Sequence, residues 1–590
     1  MKKLTATCLA IVAASTCTAA QAGNHLTLLS NISANQAGGF SAGEIVAFDK
    51  NTDRMFVTSS GLGTAGNPST GVYRVNIFDA ANPAAPAPLG SVDFTTTFGV
   101  AANMLGLSSV AVDPLGRFGA ATLIPTDNTG TVGRVGFFNL GTGAVIGTAN
   151  AGFHPDSVGF SADGSKLIIV NEGEFVPNAT NAPGSISIFD VGGINGGNLA
   201  TLPTLVATTT DFSSGNLGAG VSLSGVRNSN INAVGTSGTF IGTVPDFTQA
   251  ANIDFNAIEP EYATISGNKV YVSLQDNNAL GEYDLTTNQW TAVNKLGTIT
   301  QLVDASNQDS EVNVNDSVKG LPMPDTVASY TVGGKTYIVS ANEGDARLDD
   351  RDISRFGDIN SNDSMNNIID TDAPSNFPLT QTGVRAPAAL GQLNVSRIDG
   401  DTDADGKIDD IHMLGTRSFS IWEKTAGGLV LTFDSGSFFE QHIMANDLSG
   451  FDDGRSDDKG PEPEGLTLGV IDGKTYAFIG MERTHGIFMF DITDPTLPVF
   501  KDYLRIVDAI NGTPLRPEGF QFVSAADSPT GVSLLLVGFE GDGNLDFSDE
   551  RVAILSVVPE PSSAVLFLAG LGCVVCTVRR GLARPIRNAD

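Results

Sequence analysis

Four stretches of this chain share one plan: a proline and an acid, an alternating apolar run, a glycine-containing turn, a second apolar run, then polar residues again. They read "PDSVGFSADGSKLIIVNEGE" (155–174), "PEYATISGNKVYVSLQDN" (260–277), "PDTVASYTVGGKTYIVSANEGD" (324–345) and "PEGLTLGVIDGKTYAFIGMERTHG" (463–486). Weaker copies begin near residues 43, 107 and 517. The residues opening the seven copies are Glu44, Ser108, Asp156, Glu261, Asp325, Glu464 and Glu518, acidic in all but one. The turns after the second run add Glu172, Asp276, Glu343, Glu482 and Glu540. Repeated carboxylates without clustered histidine or thiolate are hard oxygen donors, suited to Ca2+ or Mg2+ rather than zinc or copper. Brought together they repel, and bound cations, raised pKa values or the nearby Arg347, Arg455, Arg483 and Arg516 must relieve them. The structural alternative is a latch copied by descent, each acid accepting hydrogen bonds from a neighbouring repeat's backbone. His485, in "GMERTHG" (480–486), stands beside Glu482 and Arg483 either as a general base or as a hydrogen-bonded turn residue.

A second acidic motif, "DTDADGKIDD" (401–410), places Asp401, Asp403, Asp405 and Asp409 at alternating positions, with Gly406 and Ile408 where an EF-hand loop has its sharp turn and its apolar residue. His412 falls where the bidentate glutamate belongs, so Asp410 or Asp399 would have to substitute. The expectation is a Ca2+ loop that stiffens the segment around it; the alternative is a solvated acidic turn. "GFSAG" (39–43) and "GLGTAG" (61–66) spell a hydrolase elbow and a dinucleotide fingerprint, but each leads into a strand where a helix is required.

The elements that must position the acids are strands. The chain has 68 glycines and 33 phenylalanines, and each repeat contains two alternating runs, often followed by a third such as "GSISIFDV" (184–191), "ALGEYDL" (279–285) or "GIFMFDIT" (486–493). Seven such units predict an all-β, seven-bladed β-propeller with long loop insertions, the largest at about 345–417 and another around 208–256. In that fold the start of each first strand and the end of each second strand emerge on one face. Glu172, Glu261, Glu343, Glu464, Glu482 and Glu518, with Arg455, Arg483 and His485, are then the candidates for a binding site at one mouth of the central channel.

Charge and cysteine placement set the compartment. The formal net charge of -32 makes nucleic acid an improbable partner. Cys8 and Cys17 lie in an N-terminal segment (1–22) with the Lys2-Lys3, apolar and Ala20-Gln21-Ala22 order of a secretory signal, which sets the mature start at Gly23. Cys573 and Cys576 lie in the C-terminal segment, so the body (23–557) contains no thiol and must rely on burial.

That C-terminal segment (558–590) runs Pro559-Glu560-Pro561, an apolar stretch at 564–578, then Arg579-Arg580. It resembles the PEP-CTERM sorting signal of bacteria that make exopolysaccharide. The resemblance implies an exosortase-type membrane protease as processing partner, transient membrane attachment through the tail, and a final place at the cell surface, outer envelope or extracellular matrix of a Gram-negative bacterium. An ordinary membrane anchor is the plainer alternative.

"ANEGDAR" (341–347), "RSFSIWE" (417–423), "GRSDDKGPEPEGLTLG" (454–469) and "ERTHGIFMFDITDP" (482–495) together resemble the choice-of-anchor I family, exported bacterial proteins in which a propeller-like body is paired with varied anchoring tails. The resemblance implies place and architecture, and no reaction. Two functions follow as expectations. One is a calcium-stabilised binding or structural module, presented to exopolysaccharide or a surface protein. The other is a calcium-dependent phosphohydrolase or esterase of the phytase-like propeller type, with Glu464, Glu343, Glu172 and Glu482 holding ions while Arg455 and Arg483 contact phosphate.

Overall fold

The computed structural model describes residues 25–33, 44–61, 72–95, 104–127, 130–173, 182–195, 205–227, 255–346, 353–357, 383–400, 402, 409–507, 512, 514–540 and 551–558. Among the described residues strands form eight sheets, and no helix is long and apolar enough to cross a membrane.

Seven of the sheets are four-stranded antiparallel units. Their first strands are Val46–Asp49, Met104–Val112, Pro155–Phe160, Ala263–Ser266, Val327–Val332, Pro463–Ile471 and Arg516–Val523. Each packs against the next in chain order, and the last packs against the first, so the sheets close into a propeller ring around an axis. The alternating runs read from sequence are the first and second strands, and Ser185–Asp190, Ala279–Asp284 and Gly486–Asp491 are the third strands expected beside them. Second strands are buried on both faces: Tyr337, Ile338, Val339 and Ala341 lie in one, and Leu534 through Val537 in another. Side chains from each sheet interleave with the next, as Phe478 stacks on Phe522 with ring centroids 5.7 Å apart.

The fourth strand of the last sheet comes from the other end of the chain. Leu26–Ser33 lies outside Arg551–Val557, antiparallel, with Leu26 opposite Val557. This pairing ties the ring shut, since the sheet cannot complete itself without the N-terminal strand.

In three of the repeats the residue after the opening acid sits directly against the next sheet. A Cβ on Gly465 would lie 2.1 Å from the Glu518 carbonyl oxygen, and one on Gly519 would lie 2.2 Å from that of Glu44. Where the position is serine, the hydroxyl makes the contact: Ser157 Oγ donates to the Glu261 carbonyl at 2.7 Å. Ser108, the non-acidic opener, donates to the Pro155 carbonyl at 2.6 Å. Contact between these repeats therefore runs through serine hydroxyls bonded to carbonyls and through glycines that leave no room for a side chain. Of the opening carboxylates, Asp325 accepts from Thr326 Oγ1 at 2.9 Å.

The eighth sheet has five strands, in the order Ile299–Val303, Asp316–Leu321, His412–Leu414, Asn394–Ser396, Ile353–Arg355. The expected loop at about 345–417 thus supplies three short strands to a sheet begun before it, and Lys319 pairs in parallel with His412. The chain then returns to the ring at Ser418–Thr425, beside Lys335–Asn342.

Candidate functional site

The ring brings the opening acids to one place. Glu44, Asp156, Glu261, Asp325, Glu464 and Glu518 all line a cavity of about 760 Å³, together with Glu172, Glu343, Glu482 and Glu540 from the turns after the second strands. Asp276 does not line it; that residue is buried and its carbonyl accepts from Arg227 Nη1 at 2.9 Å. Glu172 lies 3.2 Å from His154 Nδ1, a histidine with no sequence signal of its own.

Burial inside the ring, with carboxylate neighbours, raises the acids. Glu261, Asp325, Glu464 and Glu518 are pushed well above the carboxylate range, first by loss of water and then by neighbouring carboxylates, led by Glu172, Glu343, Glu482 and Glu44 respectively. Glu44 rises to about 8 through burial, Glu540 and Asp156. Asp156 rises to about 6 through burial, with His154 opposing. Glu482 rises to about 9 through burial and then Glu343 and Glu462. Among the described residues no lysine or arginine lies within ion-pair distance of the six opening acids. At neutral pH this ring either holds protons or takes up cations.

One side of the cavity is different. Arg455, Lys459 and Arg483 all line it, and all three converge on Glu462, the middle residue of Pro461-Glu462-Pro463. Glu462 is fully buried, and its backbone has φ 53, the left-handed region. Its Oε1 accepts from Arg455 Nε at 2.9 Å, and its Oε2 lies 3.0 Å from Lys459 Nζ and 3.4 Å from Arg483 Nε. Lys459 Nζ also donates to Glu343 Oε1 at 2.7 Å and Asp345 Oδ1 at 2.8 Å. Burial works against the ammonium, but Glu343, Asp345 and Glu462 outweigh it and hold its pKa well above the lysine range. Asp345, desolvated yet paired with Lys459, is held below its usual value. Carboxylate oxygens of Glu343, Glu462 and Glu482 lie within 4.8 Å of one another, close enough to share an ion.

Sequence reasoning found Glu343, Glu482, Arg455 and Arg483, and missed Glu462, Lys459, Asp345 and Asp458. The available signal was "DDKGPEPEG", in which Lys459 and Glu462 flank the turn.

Arg417 fixes this wall from behind. It is 1% exposed, with φ 53, and donates through Nη1 to the Asp304 carbonyl and Glu440 Oε1, both at 2.7 Å. Its Nη2 donates to the carbonyls of Ser456 at 2.8 Å and Asp458 at 2.9 Å. One guanidinium thus ties Asp304, just past the strand Ile299–Val303 of the five-stranded sheet, and the helix Phe438–Asn446 to the loop bearing Arg455 and Lys459. Ile353, Asn394 and Leu414 from the five-stranded sheet also line the cavity.

The remaining sequence candidates lie elsewhere. His485 is outside the lining, in a left-handed turn of φ 63. Burial and then Arg516, Arg505 and Arg483 lower it to about 4, which leaves a neutral imidazole of low basicity at pH 7. Arg516 stands 3.8 Å from Glu540. In the acidic motif, Asp401, Asp403 and Asp405 lie outside the described residues, as do Arg347 and the sorting residues Pro559, Glu560 and Pro561. Asp409 is buried, and its Oδ2 accepts from Thr402 N at 2.9 Å and Thr402 Oγ1 at 2.7 Å. The Asp409 amide donates to the Gly400 carbonyl at 2.8 Å, closing the loop.

The chain is 29% identical over 193 residues to Gigasin-3a of Magallana gigas, covering 28% of this chain and 67% of that one. It is 24% identical over 238 residues to a mesenchyme-specific cell surface glycoprotein of Strongylocentrotus purpuratus, covering 34% of this chain and only 30% of that relative. Among solved structures, the β-propeller domain of Cps50 (Swd1) from Myceliophteria thermophila is similar at 9% identity and TM-score 0.40, over 90% of this chain and 100% of that one. The Kuenenia stuttgartiensis hydrazine synthase is similar at 12% identity and TM-score 0.40, over 90% and 99%. The model of the choice-of-anchor I domain matches residues 44–495, so the chain belongs to the choice-of-anchor I family, as an exported or surface-anchored bacterial propeller protein.

Proposed function

We propose that this protein is a cell-surface or matrix-associated binding module of a Gram-negative bacterium, and that the acid ring at its channel mouth holds Ca2+. Seven sheets serve as its blades in this reading, and the five-stranded sheet as an insertion. The observation that carries the cation reading is the convergence of six opening carboxylates on one cavity without a lysine or arginine partner among the described residues. An oxygen-only donor set of this density favours a hard divalent ion, which would replace the protons the ring otherwise retains. The acidic loop at 401–410 is a second Ca2+ position in this reading, stiffening the insertion, with Asp409 closing it. Export through the N-terminal signal and exosortase processing at Pro559-Glu560-Pro561 would deliver the body to exopolysaccharide or a surface protein. The curated relative named as a cell surface glycoprotein supports such a location.

Equilibrium dialysis of the exported body against 45Ca2+ tests the site. Saturable binding that weakens in Glu464→Gln and Glu518→Gln is expected; absence of binding at millimolar Ca2+ overturns the reading.

A calcium-dependent phosphohydrolase is favoured by one observation, the closeness of Glu343, Glu462 and Glu482 beside two arginines. Lys459 already places its ammonium 2.7 Å from Glu343 and 3.0 Å from Glu462, which makes the binding reading the stronger. Phosphate-ester turnover under Ca2+, abolished by chelator, would reverse that order.

A further inference from the structure

Lys459 and the two arginines differ in what they have left to give. The three protons of Lys459 meet three acceptors, on Glu343, Asp345 and Glu462. Arg455 engages Glu462 and Asp458 through Nε and Nη2, so among the described residues its Nη1 has no acceptor. Arg483 engages Glu462 through Nε and Glu482 through Nη1, so its Nη2 likewise has none. Both residues line the cavity, and each side chain is partly exposed, at 29% for Arg455 and 28% for Arg483. Two guanidiniums held by the same buried glutamate therefore each keep an unused donor, and both residues line the same cavity as the acid ring.

We propose that Arg455 Nη1 and Arg483 Nη2 form an oxyanion-binding wall, and that the ligand of the channel mouth is an anionic group held between this wall and a divalent cation on the ring. The proposal rests on the cation reading above. The geometry requires the cation for a physical reason. Glu343, Asp345, Asp458, Glu462 and Glu482 already surround the three basic residues, so a free anion meets a wall with no surplus of positive charge. A divalent ion supplies that surplus, and guanidinium donors then fix the anion's orientation in a way that the ion alone does not. Carboxylate and phosphate present the same pair of oxygens to such a wall, so the shared chemistry is a metal-bridged oxyanion. A uronate-containing saccharide and a phosphate are its two sources. Fixation of both guanidiniums by Glu462 lowers the ordering cost of binding, since neither arginine must be immobilised anew.

The test is isothermal titration calorimetry on the exported body at pH 7.5, with oligogalacturonate in one arm and inorganic phosphate in the other, each with and without saturating Ca2+. Binding in at least one arm that requires Ca2+ is expected, and the arm that responds names the source. Arg455→Gln and Arg483→Gln should each weaken that binding about tenfold or more, the loss of one charge-assisted hydrogen bond. Arg483→Lys, which keeps the charge beside Glu482 but removes the fork, should also weaken it and controls for folding. Dialysis with 45Ca2+ on the same samples separates the failures. If Ca2+ binds and no oxyanion follows, or the variants bind it as tightly as the native chain, the wall is wrong and the cation reading stands. If Ca2+ itself does not bind, the cation reading falls and the wall falls with it.

Discussion

Lys459 and Glu343 lie 116 residues apart in the chain, and their side chains meet at 2.7 Å inside the channel mouth. The contact joins the end of one sheet's second strand to the loop that introduces another sheet's first strand. It gives one Glu343 oxygen a cationic partner, while Gln275 Nε2 donates to the other at 2.8 Å.

Removing the ammonium should therefore cost more than one hydrogen bond. Lys459→Met leaves Glu343, Asp345 and Glu462 facing one another, and breaking a buried pair on one side costs about 3–5 kcal/mol. Urea unfolding followed by tryptophan fluorescence measures this. A loss within experimental error would show that the network contributes nothing to stability.

The ring acids predict an unusual pH dependence. Their folded pKa values are raised, with Glu44 at about 8 and Glu482 at about 9, so between the unfolded carboxylate range and those values the native state binds more protons than the unfolded chain. Stability from these groups is fully present below the unfolded pKa and is lost as pH rises through the folded ones. The melting temperature in chelator should thus fall between pH 5 and pH 9, and Ca2+ should restore it at the alkaline end. A chelated protein that becomes more stable across that interval would contradict the assignment.

Glu518→Gln and Glu464→Gln should separate stability from binding. Each removes a buried acid with no lysine or arginine partner among the described residues, one that ionises more readily in the unfolded chain than in the folded one, so the chelated variants should melt higher than the native chain at pH 8 while losing Ca2+ affinity. Scanning calorimetry with and without Ca2+ gives both quantities. Lower melting of both variants in chelator would identify these acids as structural.

Arg417→Met should loosen the five-stranded sheet from the ring. The substitution strands Glu440 without its partner and removes donors from the carbonyls of Asp304, Ser456 and Asp458. A destabilisation of about 3–5 kcal/mol is expected, with faster proteolysis in the loop at 454–460. Unchanged cleavage there would show that the loop is held by other contacts.

The convergence of the opening acids was legible in the sequence because it depends on strand periodicity alone: a residue at a fixed position before an alternating run arrives at a fixed height on the axis. Glu464 and Glu518 required nothing more. Glu462 lies outside that periodicity. Its carboxylate reaches the cation cluster only because the backbone between two prolines turns left-handed, and no pattern of apolar residues encodes that turn. Lys459 was hidden for a related reason, since its partners Glu343 and Asp345 come from a distant sheet. The five-stranded sheet escaped notice because three of its strands span only three residues each, too short for alternation, and because the parallel match of Lys319 with His412 joins segments far apart in sequence. His485 could be read from its neighbours as a general base or as a turn residue, and what decides against the base is burial, seconded by Arg516, Arg505 and Arg483, of which only Arg483 adjoins it in sequence.

The strand Leu26–Ser33 has a mechanical meaning beyond completing a sheet. Val558 N donates to the His25 carbonyl at 2.9 Å, so the chain leaves the body toward its tail at the same point where the N-terminal strand begins. The tail continues from Arg551–Val557, a strand flanked on both sides, by Leu26–Ser33 and by Ser533–Glu540. Traction applied through the tail along that strand would strain two antiparallel ladders at once in shear, instead of peeling one bond at a time. A body tethered by its C-terminus to a surface under flow would thus be gripped at the seam of the ring where yielding requires many hydrogen bonds to break together.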